Sequence, residues 1–113
     1  MEKELNFEIP KRMKYRNVKS VIDGITFDSK KEAAYYAKLK LLKLAGEVTE
    51  YELQPKYYLV VNGVKCGFYK ADFKVTWKSG LTRVVDVKGM KTSVYQLKKK
   101  LVKAIYGIDI LEV

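Results

Sequence analysis

Ala71-Asp72-Phe73-Lys74-Val75-Thr76-Trp77-Lys78-Ser79-Gly80-Leu81-Thr82-Arg83-Val84-Val85-Asp86-Val87-Lys88, residues 71–88, reads as two extended arms joined by a tight turn. Both arms are rich in β-branched and aromatic residues, which suit a pleated, half-buried surface. Lys78-Ser79-Gly80 has the form of a three-residue hairpin loop with glycine last, where a positive φ is needed. If Trp77 and Leu81 flank that loop, Asp72 lies directly opposite Asp86 on one face. Cross-strand neighbours have Cβ atoms about 5 Å apart, and like charges placed there repel. A divalent cation removes the conflict, because Mg²⁺ takes hard oxygen ligands from one or two carboxylates, water and substrate phosphate. Lys88 follows Asp86 by two residues and so projects from the same face. An ammonium there can hold an attacking water and offset charge on a phosphate. A one-residue slip in register would send the two aspartates to opposite faces. Taken alone, Asp86-Val87-Lys88 is a weak signal that more often decorates a solvent-facing strand; the opposed Asp72, the charge surplus and the flanking Val84-Val85 and Gly89 raise it.

Working outward, Gly89 breaks the second arm, and Ser93 with Gln96 suggests a capping box at the start of a helix. Val94, Leu97, Leu101, Ala104 and Ile105 recur on one side of it, with Lys98, Lys99, Lys100 and Lys103 on another, and Gly107 ends it. Ile108 to Val113 reads as a short closing strand. Upstream, Leu53 to Val61 is extended, Asn62-Gly63 is a two-residue hairpin signal, and Val64 to Trp77 continues as a long strand or one bent near Gly67. Before that, Ser29 and Glu32 form a capping box for a helix whose Ala33, Ala37, Leu41 and Leu44 point inward, and Gly46 stops it. Val21 to Phe27 reads as a short hairpin around Asp23-Gly24. The order is helix, three-stranded meander, helix, strand, an α+β or mixed α/β domain. Residues 1–28 read as a basic N-terminal arm with a short hairpin, and 29–113 as a single domain.

The 113 residues carry 23 Lys and Arg against 13 Asp and Glu, a formal charge of +10. Such a surplus favours polyanions, nucleic acid above all, because each neutralised phosphate releases counterions. Lys11-Arg12-Met13-Lys14-Tyr15-Arg16 concentrates it: Lys11, Arg12, Lys14 and Arg16 could grip a phosphate backbone, or form a solvated tail. The chain contains no histidine, which excludes His-based acid/base catalysis and His metal ligation. The single Cys66 can form neither an internal disulfide nor a thiolate zinc cage, and reads as a small buried hydrophobe. Met1 to Asn6 has no apolar run suited to a signal peptide, and no stretch approaches membrane-spanning length. A soluble protein of the cytoplasm is expected, with no membrane partner.

Ala71-Asp72-Phe73 followed by Val84-Val85-Asp86-Val87-Lys88-Gly89, with a glutamate on a preceding helix, resembles the PD-(D/E)xK nuclease superfamily. The element order is similar to its restriction-endonuclease-like αβββαβ core over residues 29–113. The proline that names the motif is replaced by Ala71. More closely, Phe27-Asp28-Ser29-Lys30-Lys31-Glu32-Ala33, Leu53-Gln54-Pro55-Lys56-Tyr57 and Tyr69-Lys70-Ala71-Asp72-Phe73 resemble a family of short phage and prophage proteins of uncharacterised function. The resemblance implies that Asp72 and Asp86 ligate Mg²⁺ or Mn²⁺, with the Val87 carbonyl as a further ligand. It also implies that Lys88 orients the nucleophile and that Glu32 assists at the metal. Glu32 is equally explained as the third residue of a capping box. Gln54, Tyr95 and Lys98 could reach the same site, the last two facing the phosphate.

Two readings from different classes follow. The first, implied by the resemblance, is a metal-dependent DNA endonuclease acting as a homodimer in phage or prophage recombination or repair. A resolvase of Holliday junctions or other branched DNA, a nicking, a structure-specific and a restriction-like enzyme all fit. The second is a non-catalytic basic DNA-binding accessory on a nuclease-like fold. An RNA-binding or RNA-cleaving protein is a third, since Trp77 and nine tyrosines offer stacking surfaces.

Overall fold

Asp23-Gly24 and Asn62-Gly63 each take two successive positive φ angles, 55° and 76° in one, 51° and 78° in the other. These are the angles of a type I′ turn, whose twist matches that of the strands it joins. In the computed structural model, residues 19–88 and 90–113 are described. The chain divides into two compact units, Met1–Ala34 and Tyr35–Val113. The boundary falls inside the first helix, α1 (Lys30–Leu44).

Within the first unit, the Asp23-Gly24 turn pairs β1 (Ser20–Ile22) with β2 (Ile25–Phe27), Ile22 opposite Ile25. Ser29 then starts α1, its hydroxyl accepting from the Glu32 N–H at 3.0 Å, the expected half of a capping box. Lys11, Arg12, Lys14 and Arg16 lie outside the described residues.

The second unit is built on a four-stranded sheet in the order β3-β6-β7-β8, where β3 is Val48–Leu53, β6 Phe73–Trp77, β7 Thr82–Asp86 and β8 Ile110–Glu112. β3, β6 and β7 run antiparallel, while β8 returns parallel to β7 after the second helix, α2 (Ser93–Tyr106). Between β3 and β6 the chain leaves the sheet as a hairpin of β4 (Lys56–Val61) and β5 (Val64–Lys70). The α+β class with a mixed sheet is therefore as expected, and so is the order helix, three strands, helix, strand once that hairpin is set aside. The expected strand limits are not. The first sheet strand begins at Val48, not Leu53, and the segments from Leu53 to Val61 and from Val64 to Trp77 are each broken. Gln54 takes a φ of 52° before Pro55, which has no N–H for a ladder, and Ala71-Asp72 lies outside both flanking strands. The bend near Gly67 is a register shift between Leu59 and Val60, with Gly67 at φ 144°.

The turn at Lys78-Ser79-Gly80 forms as read. The Trp77 N–H donates to the Leu81 carbonyl and the Gly80 N–H to the Trp77 carbonyl, both at 2.8 Å, with Gly80 at φ 93°. The register places Phe73 opposite Val85, Lys74 opposite Val84 and Thr76 opposite Thr82. Phe73, Val75 and Val85 are buried on one face, where the Phe73 ring meets Tyr35 of α1 at 5.3 Å. Val84 and Ile110 are buried on the other, in a core with Tyr95 and Val102 of α2 and Leu59 and Tyr69 of the hairpin.

Each helix buries only part of the expected stripe; in α1 Ala33 is buried and Ala37 half-buried as expected. In α1, Tyr36 and Leu39 are buried, whereas Leu41 and Leu44 are 68% and 86% exposed. The sequence offers two interleaved helical stripes, and the one with the larger ring faces inward, Tyr36 meeting Tyr51 edge-on. In α2, Tyr95 and Val102 are buried and Leu101 and Ile105 half-buried, while Val94, Leu97 and Ala104 are exposed. Its cap is Thr92, not Ser93: the Thr92 hydroxyl accepts from the Tyr95 N–H at 3.1 Å. Cys66 is exposed rather than buried; it is the unpaired residue at the register shift, between Lys65 opposite Val60 and Gly67 opposite Leu59. No helix among the described residues is long and apolar enough to cross a membrane.

The inward stripe of α1 makes a direct prediction. Leu39, fully buried, should cost roughly 2–5 kcal/mol when cut to alanine. Leu41→Ala should stay within about 0.5 kcal/mol of wild type. Urea midpoints of the two variants check this, and equal losses would refute the assignment of faces.

Candidate functional site

Strand alternation places Asp86 on the same face as Val84, and Asp72 precedes Phe73 on the neighbouring strand. Backbone bonds hold Asp72 against the end of β7: its N–H donates to the Val85 carbonyl at 3.2 Å, and its own carbonyl accepts from the Gln54 N–H at 2.9 Å. The Asp72 carboxylate then accepts the Val87 N–H through Oδ2 at 2.7 Å. Asp72 is thus bonded to the residues on either side of Asp86. The ladder has the expected register but ends at Phe73 opposite Val85, so the expected strand pair of Asp72 with Asp86 is not part of it. Asp86 is 2% exposed, and a carboxylate at that depth needs partners. The Tyr69 hydroxyl donates to its Oδ2, and the Lys88 ammonium lies 3.4 Å from its Oδ1. The structure therefore brings Asp72, Asp86, Val87 and Lys88 together at the C-terminal end of β7.

Tyr69 and Tyr95 line the same place. The Lys88 Nζ lies 4.2 Å from the centre of the Tyr95 ring, and the two rings are 6.3 Å apart. Burial first, then the hydrogen bond and charge of Asp86, hold the Tyr69 hydroxyl far above its ordinary range, with Tyr95 and Asp72 adding to the effect. The Tyr95 hydroxyl is raised by burial, by its bond to Glu112, and by the charges of Asp86, Glu112 and Asp72. Both phenols remain protonated donors and sense both aspartates, so the site carries a concentrated negative field.

Sequence reasoning missed Tyr69 and Glu112. The parallel pairing of β8 sets Glu112 beside Asp86, and such a long-range register leaves no local sequence signal. Glu112 accepts from the Tyr95 hydroxyl at 2.7 Å, from Lys99 at 3.1 Å, and from Lys91 at 2.9 Å. These bonds, that of Tyr95 foremost, hold its carboxyl down at about 2. Next to it runs a groove of about 600 Å³ lined by Lys91, Lys99, Lys100 and Lys103 against Asp109 and Glu112.

The Tyr95 hydroxyl is committed to Glu112, and the Lys98 Nζ lies 5.6 Å from the Phe68 ring, on the hairpin. Gln54 is exposed at the kink between β3 and β4 and contributes its N–H. Glu32 belongs to the other compact unit, on the first turn of α1, where it is 5% exposed. Among the described residues no group of three or more His, Cys, Asp or Glu side chains is arranged to hold a metal ion.

The fold and site define a small basic α+β domain with paired aspartates and a lysine at the end of a central strand. The chain belongs to the family described as "Protein of unknown function (DUF1064)", whose model matches residues 12–110. No curated protein and no solved structure matches it.

Glu112 predicts an acid response. Its folded value lies below its unfolded one, so its stabilisation is fully present above about pH 4.5 and fades as pH falls through about 2. Glu112→Gln should therefore melt below wild type by a constant margin from pH 7 to about 5. The margin should close between about pH 4.5 and 2. Thermal melts across that range check it; a margin that widened in acid would contradict the assignment.

Proposed function

We propose that this protein is a divalent-metal-dependent DNA endonuclease. The observation that carries the reading is the juxtaposition of Asp72, Asp86 and Lys88, with Lys88 Nζ 3.4 Å from Asp86 Oδ1. The donor set fits Mg²⁺ or Mn²⁺: two carboxylates and the Val87 carbonyl are hard oxygen ligands, and Mg²⁺ needs only one or two carboxylates when water and phosphate complete its shell. When bound, the metal would supply Lewis-acid activation of the scissile phosphate and of a water. Asp72 and Asp86 would hold it. Lys88 would orient the attacking water and offset charge developing on the phosphate. Tyr69 would position the Asp86 carboxylate, and its phenol, held protonated, would not compete as a base. The lysines along the α2 groove suit the phosphate backbone.

A narrower reading follows from the resemblance alone. It is a homodimer acting in the host cytoplasm on branched DNA, such as a Holliday junction, in phage or prophage recombination or repair. Glu32 would be its fourth site residue.

One observation favours a second reading, a non-catalytic DNA-binding accessory. The aspartates are already engaged by Val87, Tyr69 and Lys88, and no third acidic or Cys ligand joins them among the described residues.

Cleavage of linear, nicked and four-way-junction DNA separates the two. The catalytic reading expects cuts with Mg²⁺ and none in EDTA. Asp86→Asn should abolish them, and Lys88→Ala should slow them roughly 10²–10³-fold, with both variants still folded by circular dichroism. Identical behaviour of wild type and Asp86→Asn on every substrate would sink this reading. Binding without cleavage, weakening with salt, would favour the accessory. Glu32→Gln, assayed alongside, tests the fourth residue.

A further inference from the structure

The outer face of the β4–β5 ribbon takes no part in that chemistry, yet its composition is unusual. Residues 56–70, Lys-Tyr-Tyr-Leu-Val-Val-Asn-Gly-Val-Lys-Cys-Gly-Phe-Tyr-Lys, contain three lysines and no carboxylate. The inner face, with Leu59 and Tyr69, is committed to the core. On the outer face Tyr58 and Phe68 are direct cross-strand partners, 44% and 42% exposed. Lysines surround both rings. Lys56 Nζ lies 4.4 Å from the Phe68 centroid and 5.7 Å from that of Tyr58; Lys65 Nζ lies 4.3 Å from Tyr58, and Lys98 of α2 reaches Phe68 at 5.6 Å. Lys70 pairs across the ribbon with Lys56.

We propose that this face is a stacking platform for an unpaired stretch of DNA. Half-exposed aromatic rings side by side accept nucleobases, whose π-faces stack regardless of sequence. A base on a ring gains more than a solvated ammonium does there. The displaced lysines, on flexible stems, are then placed to reach the phosphates joining those bases. A duplex keeps its bases stacked inside and offers the rings nothing. An apolar protein partner would desolvate four lysines without supplying an anion to any. The choice of DNA rests on the functional reading above, but the platform needs neither cleavage nor metal.

The test is fluorescence anisotropy in EDTA with a labelled 20-nucleotide oligothymidylate, a duplex of equal length and an oligouridylate. The double variant Tyr58→Leu, Phe68→Leu keeps apolar bulk and should fold. It should bind oligothymidylate about tenfold or more weakly, with duplex affinity within about twofold. The double variant Tyr58→Trp, Phe68→Trp should bind like wild type. Lys56→Gln should flatten the salt dependence for the single strand. Unchanged single-strand affinity in the leucine variant would overturn the platform, as would equal losses on single strand and duplex. Tighter binding of oligouridylate would reject DNA as its ligand. Loss of a dimer by sedimentation in the leucine variant, with single-strand affinity intact, would make the face a self-association surface instead. If Asp86→Asn leaves cleavage unaltered while these binding results hold, the catalytic reading falls and the platform stands.

Discussion

A three-residue turn holds β6 and β7 in one register, and the candidate site exists only in that register. Because side chains alternate with a period of two, a slip of one residue would carry Asp86 to the face of Phe73, Val75 and Val85. That face is packed with apolar groups and meets the Tyr35 ring of α1. A carboxylate carried there would lose the Tyr69 hydroxyl and meet packed apolar side chains, so core and turn enforce the same alignment. The Asp72 carboxylate, bonded to the Val87 N–H, holds it at the far end of the hairpin.

The buried Asp86 then ties distant parts of the second unit together. Its partners come from the end of its own strand and, through Tyr69, from a hairpin that shares no ladder with the sheet. Tyr95 of α2 lies under Lys88 and bonds Glu112 on β8. One polar cluster thus has members from β5, β7, α2 and β8, set into the same core that packs Leu59, Val84, Val102 and Ile110. A network of this kind is favourable only when its members are satisfied, which constrains the seating of α2 and of the hairpin as firmly as apolar packing does.

The positive charge is unevenly placed. In the second unit lysines line the groove of α2 and surround the aromatic rings of the β4–β5 ribbon, while carboxylates lie along β3 as well as at the ends of β7 and β8. The Ala71 N–H before Asp72 donates to the Pro55 carbonyl.

By itself the sequence determined what is local. Asp23-Gly24, Asn62-Gly63 and Lys78-Ser79-Gly80 name their own turns, because few residues tolerate positive φ, and the last of these turns sets Asp72 beside Asp86. Ser29 marks a helix start and Gly46 a stop for the same kind of reason. Tertiary structure decided everything that depends on partners far along the chain. Which stripe of each helix faces inward was ambiguous between interleaved patterns, and packing against the sheet chose Tyr36 over Leu41 and Tyr95 over Leu97. Where a long extended segment leaves one sheet for another depends on Gln54-Pro55 and Ala71-Asp72 breaking ladders whose partners are not adjacent in sequence. Tyr69 and Glu112 joined the site only through a hairpin fold and a parallel pairing, and neither contact leaves a periodic trace in the residues that make it.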